Sequence, residues 1–90
     1  MKLNLEDILL LTKKATTSSL KGYSAKVFLY LLSKDNESLF NNAILASQDD
    51  MAKTLDISKS MVALGVKELK EKKIITATRA GRLNIYTFIK

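Results

Sequence analysis

Residues 47–73 read SQDDMAKTLDISKSMVALGVKELKEKK, and this stretch decides the fold. Ser47 followed three residues later by an acid is typical of a helix N-cap with a capping box, so we predict that a helix begins there. Ser58 has the same role for a second helix, which is expected to run to about Lys72 or Lys73. The stretch therefore predicts two short helices separated by a tight turn.

The two helices carry the spacing of a helix-turn-helix pair, with Ala52, Asp56 and Val62 at its three diagnostic positions. A small residue in the first helix lets the helices cross closely, and a branched apolar residue in the second fills the angle between them. The turn position often requires positive φ and usually holds glycine. Asp56 departs from this pattern, although Asp tolerates the left-handed region better than most residues.

Apolar segments on both sides of the pair predict strands. Ala43 to Ala46 is short and lies between polar segments, which favours a single small strand. Ile74 to Arg79 and Arg82 to Lys90 are rich in Ile, Thr, Tyr and Phe and predict a β-hairpin around Ala80-Gly81. The faces of the hairpin cannot be assigned, because Ala-Gly sets the register weakly and a one-residue slip exchanges them.

Two more helices are expected before the first strand. Residues 5–14 form a short helix behind an Asn4 cap, and the polar residues after it form a connection. Ser24 is expected to cap a second helix to about Lys34, with Val27 and Leu31 in its core stripe. Leu29 and Tyr30 widen its apolar surface, which the first helix or a second subunit would cover.

The element order predicts a mainly α (α+β) fold in one domain over residues 1–90. We divide it into an N-terminal helix and connection (1–22), a helical core (23–73, with the helix-turn-helix at 47–73) and a C-terminal two-stranded hairpin (74–90). Ninety residues, of which 47% are hydrophobic, suffice for one core and not for two.

Composition argues against several classes of function. The chain has no Cys and no His, so a disulfide framework, the usual zinc ligand sets and the commonest general base are excluded. We expect no enzyme activity, cofactor or metal. The apolar run Ile8 to Leu11 is too short to span a membrane and lacks a cleavage-site pattern, so a cytoplasmic protein without a membrane partner is expected.

The net charge of +6 is concentrated at one end of the chain. Residues 1–57 contain seven lysines and seven acids, whereas residues 58–90 contain eight cations and only two acids, Glu68 and Glu71. Such asymmetry is typical of a face that binds a polyanion, because each neutralised phosphate releases counterions. A solvated basic face that serves solubility is the alternative.

The helix pair, the preceding strand, the following hairpin and the local basic charge together resemble the winged-helix family from about Ser24 to Lys90. This resemblance implies binding to double-stranded DNA, with the second helix of the pair in the major groove and the hairpin, or wing, at the adjacent minor groove. Base contacts would then come from the N-terminus of that helix and phosphate contacts from its later lysines. The residues concerned are Ser58, Lys59 and Ser60 for bases, and Lys67 and Lys70 for phosphates.

Two arginines at the tip of the predicted wing indicate DNA binding more specifically than the serines and lysines of the helix do. Arg79 and Arg82 flank Ala80-Gly81 with no acid nearby in the sequence, and their guanidinium groups suit insertion into a minor groove. Thr78 is assigned to the same interface. The alternative is a hairpin tip that is kept charged to prevent edge-to-edge pairing.

The second helix of the pair, which the resemblance makes the recognition helix, is unusually apolar where base contacts are expected. Met61, Ala63 and Leu64 offer few hydrogen bonds, so they would contact thymine methyl groups or be buried in a homodimer. In the dimer interpretation, Gly65 allows the two recognition helices to approach closely, and Leu29 and Tyr30 extend the interface.

A closer resemblance is carried by Thr78 to Thr87, TRAGRLNIYT, together with Ser58-Lys59 and Val62. These residues are similar to those of the TubR-type centromere-binding proteins of tubulin-like (type III) plasmid and phage segregation systems. The resemblance implies paired recognition helices, cooperative binding to repeated sites, a tubulin-like GTPase filament as a further partner, and repression of the chain's own operon.

Other functions share the same module. A repressor of the MarR or ArsR type and a plasmid replication initiator are alternatives within DNA binding. A winged-helix domain used only for contact with proteins is an alternative outside it. An enzyme is the remotest, since no Ser-Lys pair has the context of a nucleophile and base.

Overall fold

The computed structural model describes residues 4–35 and 43–89, which form four helices and a three-stranded antiparallel sheet. The elements, in chain order, are α1 (Leu5–Thr17), α2 (Gly22–Asp35), β1 (Ile44–Ala46), α3 (Gln48–Leu55), α4 (Lys59–Glu71), β2 (Ile75–Ala80) and β3 (Leu83–Phe88). The predicted order of elements and the α+β composition are confirmed, and the arrangement is compatible with a winged-helix-like fold. Within the described ranges, no helix has the length and apolar character needed to cross a membrane.

Helix α1 begins with the predicted Asn4 cap but ends later than expected. The Asn4 side chain accepts a hydrogen bond from the Asp7 amide at 2.8 Å, and the Asp7 carboxylate accepts one from the Asn4 amide at 3.3 Å. The helix runs three residues beyond the predicted end, to Thr17, so part of the predicted connection is helical. Leu11 and Ala15 are the residues of α1 that are buried in the core.

The predicted cap of α2 is wrong. The helix begins at Gly22, and Ser24 lies fully buried within its first turn. The carboxylate of Glu68, on α4, instead accepts a hydrogen bond from the Lys21 amide at 3.0 Å. The Ser24 hydroxyl and then the Lys21 amide hold the pKa of Glu68 below its ordinary value. A side chain of α4 therefore stabilises the N-terminus of α2.

The turn between α3 and α4 has the predicted geometry. The hydroxyl of Ser58 caps α4 by accepting a hydrogen bond from the Met61 amide at 3.1 Å. Asp56 is left-handed, at φ 55° and ψ 46°, and the Ile57 amide donates to the Ala52 carbonyl at 3.1 Å. Asp therefore occupies the positive-φ position that glycine usually fills, as predicted.

Helices α2 and α4 cross in direct contact at Gly65, which is buried. A Cβ atom at this position would lie 3.1 Å from Val27 Cγ2 and 3.2 Å from both the Ser24 Cα and the Tyr23 carbonyl oxygen. The predicted role of Gly65 in a contact between two recognition helices is therefore wrong. Glycine is required at this position within the protomer, because α2 occupies the space that a Cβ atom would fill.

Helix α4 ends in a Schellman motif that directs the chain into the hairpin. Lys73 is left-handed, with φ 59°. The Lys73 amide donates to the Lys70 carbonyl at 3.0 Å, and the Ile74 amide donates to the Leu69 carbonyl at 2.9 Å. The ammonium of Lys14 donates to the Lys73 carbonyl, which ties α1 to this turn.

The sheet has the strand order β1-β3-β2. Because Ala80 pairs with Leu83, the two turn residues are Gly81 and Arg82, one position later than the predicted Ala80-Gly81. Gly81 has φ 64°, so the first turn position needs the conformational freedom of glycine. This correction moves Arg82 from the start of a strand into the turn itself.

The core lies between the helices and one face of the sheet. Phe28 of α2 packs edge-to-face on Phe88 of β3, with 5.8 Å between the ring centroids. Tyr30, predicted with Leu29 for a dimer interface, is buried with 8% of its surface exposed, so the core of the protomer already uses it. The most completely buried members of the core are Leu11, Val27, Leu31, Met51, Val62, Leu69, Ile74, Ile75 and Tyr86.

Replacing Gly65 with Ala tests the α2–α4 crossing. The new methyl group would require α2 to move, so we expect Gly65→Ala to lower the free energy of unfolding by about 1–3 kcal/mol, as overpacked sites do. Urea denaturation followed by circular dichroism measures this change. Gly22→Ala is the matched control, because a Cβ there meets no atom within 4 Å. Equal stabilities of the two variants would contradict the crossing.

Candidate nucleic-acid interface

The exposed surface of α4 has two unlike edges on either side of its buried stripe. Lys59, Ala63 and Lys70 follow one edge at i, i+4 and i+11. Met61 and Leu64, 38% and 50% exposed, follow the other edge. The helix therefore presents one basic edge and one edge that begins with this apolar pair and continues with charged residues; the apolar pair is called the apolar edge below.

The hairpin changes from apolar to polar along a single face. Ile75 pairs with Phe88, and Ala77 pairs with Tyr86, on the face that covers the core. The next pair on that face, by strand alternation, is Arg79 with Asn84. The core face thus ends in a polar pair next to the turn.

Strand β1 brings the start of α3 to this polar pair. Ala46, the last residue of β1, pairs with Asn84 from the other side, and Ser47 follows it directly. The N-terminus of α3, the N-terminus of α4 and the hairpin tip consequently surround one concave surface, which we call the basic cleft. It is lined by Ser47, Gln48, Asp49, Lys59, Arg79, Arg82 and Asn84.

Asn84, which lines the basic cleft, is hydrogen-bonded to the hydroxyl of a buried tyrosine. The Asn84 side-chain amide donates to the Tyr86 hydroxyl oxygen at 3.0 Å, and Tyr86 is completely buried. Burial raises the pKa of Tyr86, while interactions with the side chains of Asn84 and Gln48 oppose that change. Tyr86 therefore stays neutral at physiological pH, and Asn84 is held in a fixed orientation.

The three cations of the basic cleft have different local partners. Lys59 pairs with Asp49 at 3.2 Å, although both side chains are largely exposed. The Arg79 Nε donates to the Gly81 carbonyl at 3.2 Å, which folds the side chain along the hairpin tip. Arg82 is exposed and has no partner among the residues that the structure describes. The cleft carries three positive charges against one negative charge.

The structure places the sequence-predicted DNA residues at several locations. Lys59, Arg79 and Arg82 come together in the basic cleft, and Lys70 lies further along the same edge of α4. Ser58 caps the helix, and Ser60 is exposed one residue past Lys59. The two other predicted residues, Lys67 and Thr78, lie on different surfaces.

Lys67 and Thr78 lie away from the basic cleft. Lys67 lines a separate shallow depression with Tyr23, Leu64 and the charged residues Glu68, Glu71 and Lys72. Thr78 alternates with Arg79 along β2 and therefore lies on the opposite face of the hairpin.

The residues predicted for a dimer interface do not form one surface. Met61 and Leu64 share the apolar edge of α4, whereas Ala63 lies on the basic edge. Leu29, 61% exposed, lies on the face of α2 opposite α4, in an apolar groove between α1 and α2. This α1–α2 groove is lined by Thr12, Ala15, Thr16, Ser19, Leu20, Ala25, Phe28 and Leu29.

Four residues of the basic cleft are absent from the sequence-predicted site. The sequence marks Ser47, Gln48 and Asp49 only as the start of a helix, and Asn84 only as a strand residue. The capping pattern at Ser47 could have indicated that an exposed helix N-terminus faces the same side as α4. Nothing in the sequence indicates that Asn84 lies beside it, because that depends on the strand register.

No protein-family model matches this chain, and no curated protein matches its sequence.

Proposed function

We propose that the chain binds double-stranded DNA through the basic cleft and the basic edge of α4. The observation that carries this proposal is the convergence of Lys59, Arg79 and Arg82 from two separate elements onto one concave surface. Cations fixed around a concavity attract a phosphate backbone and orient it, whereas scattered cations serve solubility alone. In this proposal, α4 enters the major groove, and Arg82 at the turn reaches the neighbouring minor groove.

The wing geometry supports minor-groove contact in a specific way. Arg82 lies in the two-residue turn, at the narrowest part of the hairpin, and Arg79 lies two residues before the glycine. A guanidinium at such a tip can enter a groove that a helix cannot. Thr78 faces away from the basic cleft, so we do not include it in the proposed interface.

Two narrower proposals follow from the resemblances. A centromere-binding adaptor, with a tubulin-like GTPase filament as partner and repression of its own operon, is suggested by residues 78–87. A winged-helix repressor or a replication initiator is the second candidate for the same basic cleft. Cooperative binding to tandem sites favours the adaptor, and binding to a single operator favours the repressor.

A protein-interaction module is the competing class of function. The observation that favours it is the exposed α1–α2 groove, together with Leu5 and Leu9, which are 72% and 61% exposed on α1. Apolar surface of this kind commonly marks contact with another chain. A homodimer would use this surface, or the apolar edge of α4, without losing the basic cleft.

Removing both wing arginines tests the DNA interface. We expect Arg79→Ala/Arg82→Ala to weaken duplex binding for every sequence and to reduce the magnitude of the slope of log K against log salt by up to about two. Fluorescence anisotropy with a labelled duplex at several salt concentrations gives both values.

Lys26→Ala/Lys53→Ala is the matched control, because it removes the same charge from exposed positions outside the basic cleft. Its slope should stay close to that of the wild type. Equal slopes for the two double variants would show that only net charge matters and would exclude wing contact. Absence of salt-dependent binding by the wild type would overturn the DNA proposal itself.

The homodimer is tested by two glutamate substitutions on opposite sides of the helices. If α4 helices pair through their apolar edges, Leu64→Glu should give monomers in sedimentation equilibrium, while Leu29→Glu should remain dimeric. If the α1–α2 groove is the interface, the two results exchange, because Leu29 faces away from α4. A monomeric wild-type protein at high concentration would contradict the homodimer.

A further inference from the structure

Helix α1 carries two leucines that the core of the protomer does not use. Leu11 and Ala15 are the residues that α1 buries. On the other side of the helix, Leu9 and Leu10 are 61% and 62% exposed. A single exposed leucine is ordinary on a protein surface, whereas adjacent ones on one helix form an apolar patch of the kind that contacts another chain. The protomer therefore leaves the outer side of α1 uncovered.

Two opposite charges lie at the ends of this apolar patch. Glu6 and Lys13 are exposed and are separated by almost two helical turns, so both lie on the outer side of α1 with the leucines between them. They are about 10 Å apart along the helix axis, which is too far for them to pair with each other. Neither side chain has a partner among the described residues. The four residues Glu6, Leu9, Leu10 and Lys13 are called the α1 outer face.

The α1 outer face is complementary to itself when its direction is reversed. If a second α1 lies antiparallel across the first, with a two-fold axis between Leu9 and Leu10, Glu6 of each copy meets Lys13 of the other. The leucines of both copies then form one cluster between the two ion pairs. A parallel arrangement would instead oppose identical charges, which repel each other. The charges therefore select a second copy of this chain in the antiparallel orientation.

We propose that the α1 outer face is a homodimer interface, in which two α1 helices pack antiparallel about a two-fold axis. This inference extends the proposed homodimer by naming its surface and orientation, and it does not depend on DNA binding. The interface uses no residue of α4, and none of its residues lines the basic cleft. Each dimer therefore carries two basic clefts that remain open.

Reversing the charges of the α1 outer face tests the interface by sedimentation equilibrium at low salt. Glu6→Lys should raise the dimer dissociation constant about tenfold, because both ion pairs become like-charged contacts. Adding Lys13→Glu should restore the wild-type value, since opposite charges meet again. Restoration is diagnostic, because each substitution opposes the helix dipole and a mere loss of α1 stability would become worse in the double variant. A parallel pair would show neither the loss nor the restoration.

Glu71→Lys is the matched control, because it makes the same change of charge at an exposed position on α4 and should leave the dimer unchanged. Leu10→Glu should give monomers, whereas Leu64→Glu should remain dimeric, and thermal unfolding shows that each variant is folded. Equal weakening by Glu6→Lys and Glu71→Lys, or a dimer that survives Leu10→Glu, would overturn the interface. A monomeric wild-type protein would overturn it together with the homodimer and would leave the DNA proposal untouched.

Discussion

The crossing of α2 and α4 at Gly65 is the contact on which the rest of the structure depends. A methyl group at this position would lie only 3.1–3.2 Å from atoms of Val27, Ser24 and Tyr23, so no larger residue fits without movement of α2. The same crossing lets Glu68 cap the N-terminus of α2 through the Lys21 amide. The direction of α4 is thereby fixed relative to the core, and with it the position of Lys59 at the basic cleft.

Local features of this fold are predictable because they depend on residues three or four positions apart. The caps at Asn4, Ser47 and Ser58 and the left-handed Asp56 all belong to this class. The role of Gly65 could not be predicted correctly from sequence, because its neighbours lie on a helix far away in the chain and only the packed structure identifies them. Glu68 could not be predicted as the cap of α2 for the same reason, because it lies 47 residues from Lys21 in the chain.

In the candidate site, too, the predictable residues depend on local sequence and the others on contacts between distant parts of the chain. Lys59, Arg79 and Arg82 could be chosen from sequence, since a helix start and a hairpin tip are recognisable wherever the register falls. Asp49 and Asn84 could not, because their place in the basic cleft follows from β1 pairing with β3 at Ala46 and Asn84. The residues predicted for a dimer interface on α4 do not share one surface, because residues that are neighbours in sequence face different sides of a helix.

Nuclear magnetic resonance tests the central claim most directly, by titrating a duplex into labelled wild-type protein and following each backbone amide. DNA binding at the basic cleft predicts that the largest shift changes fall on Gln48, Lys59 and Arg82, and that they diminish as salt is added. Amides along the α1–α2 groove, such as that of Leu29, should change little at low protein concentration. Changes centred on that groove, or none anywhere, would contradict the account.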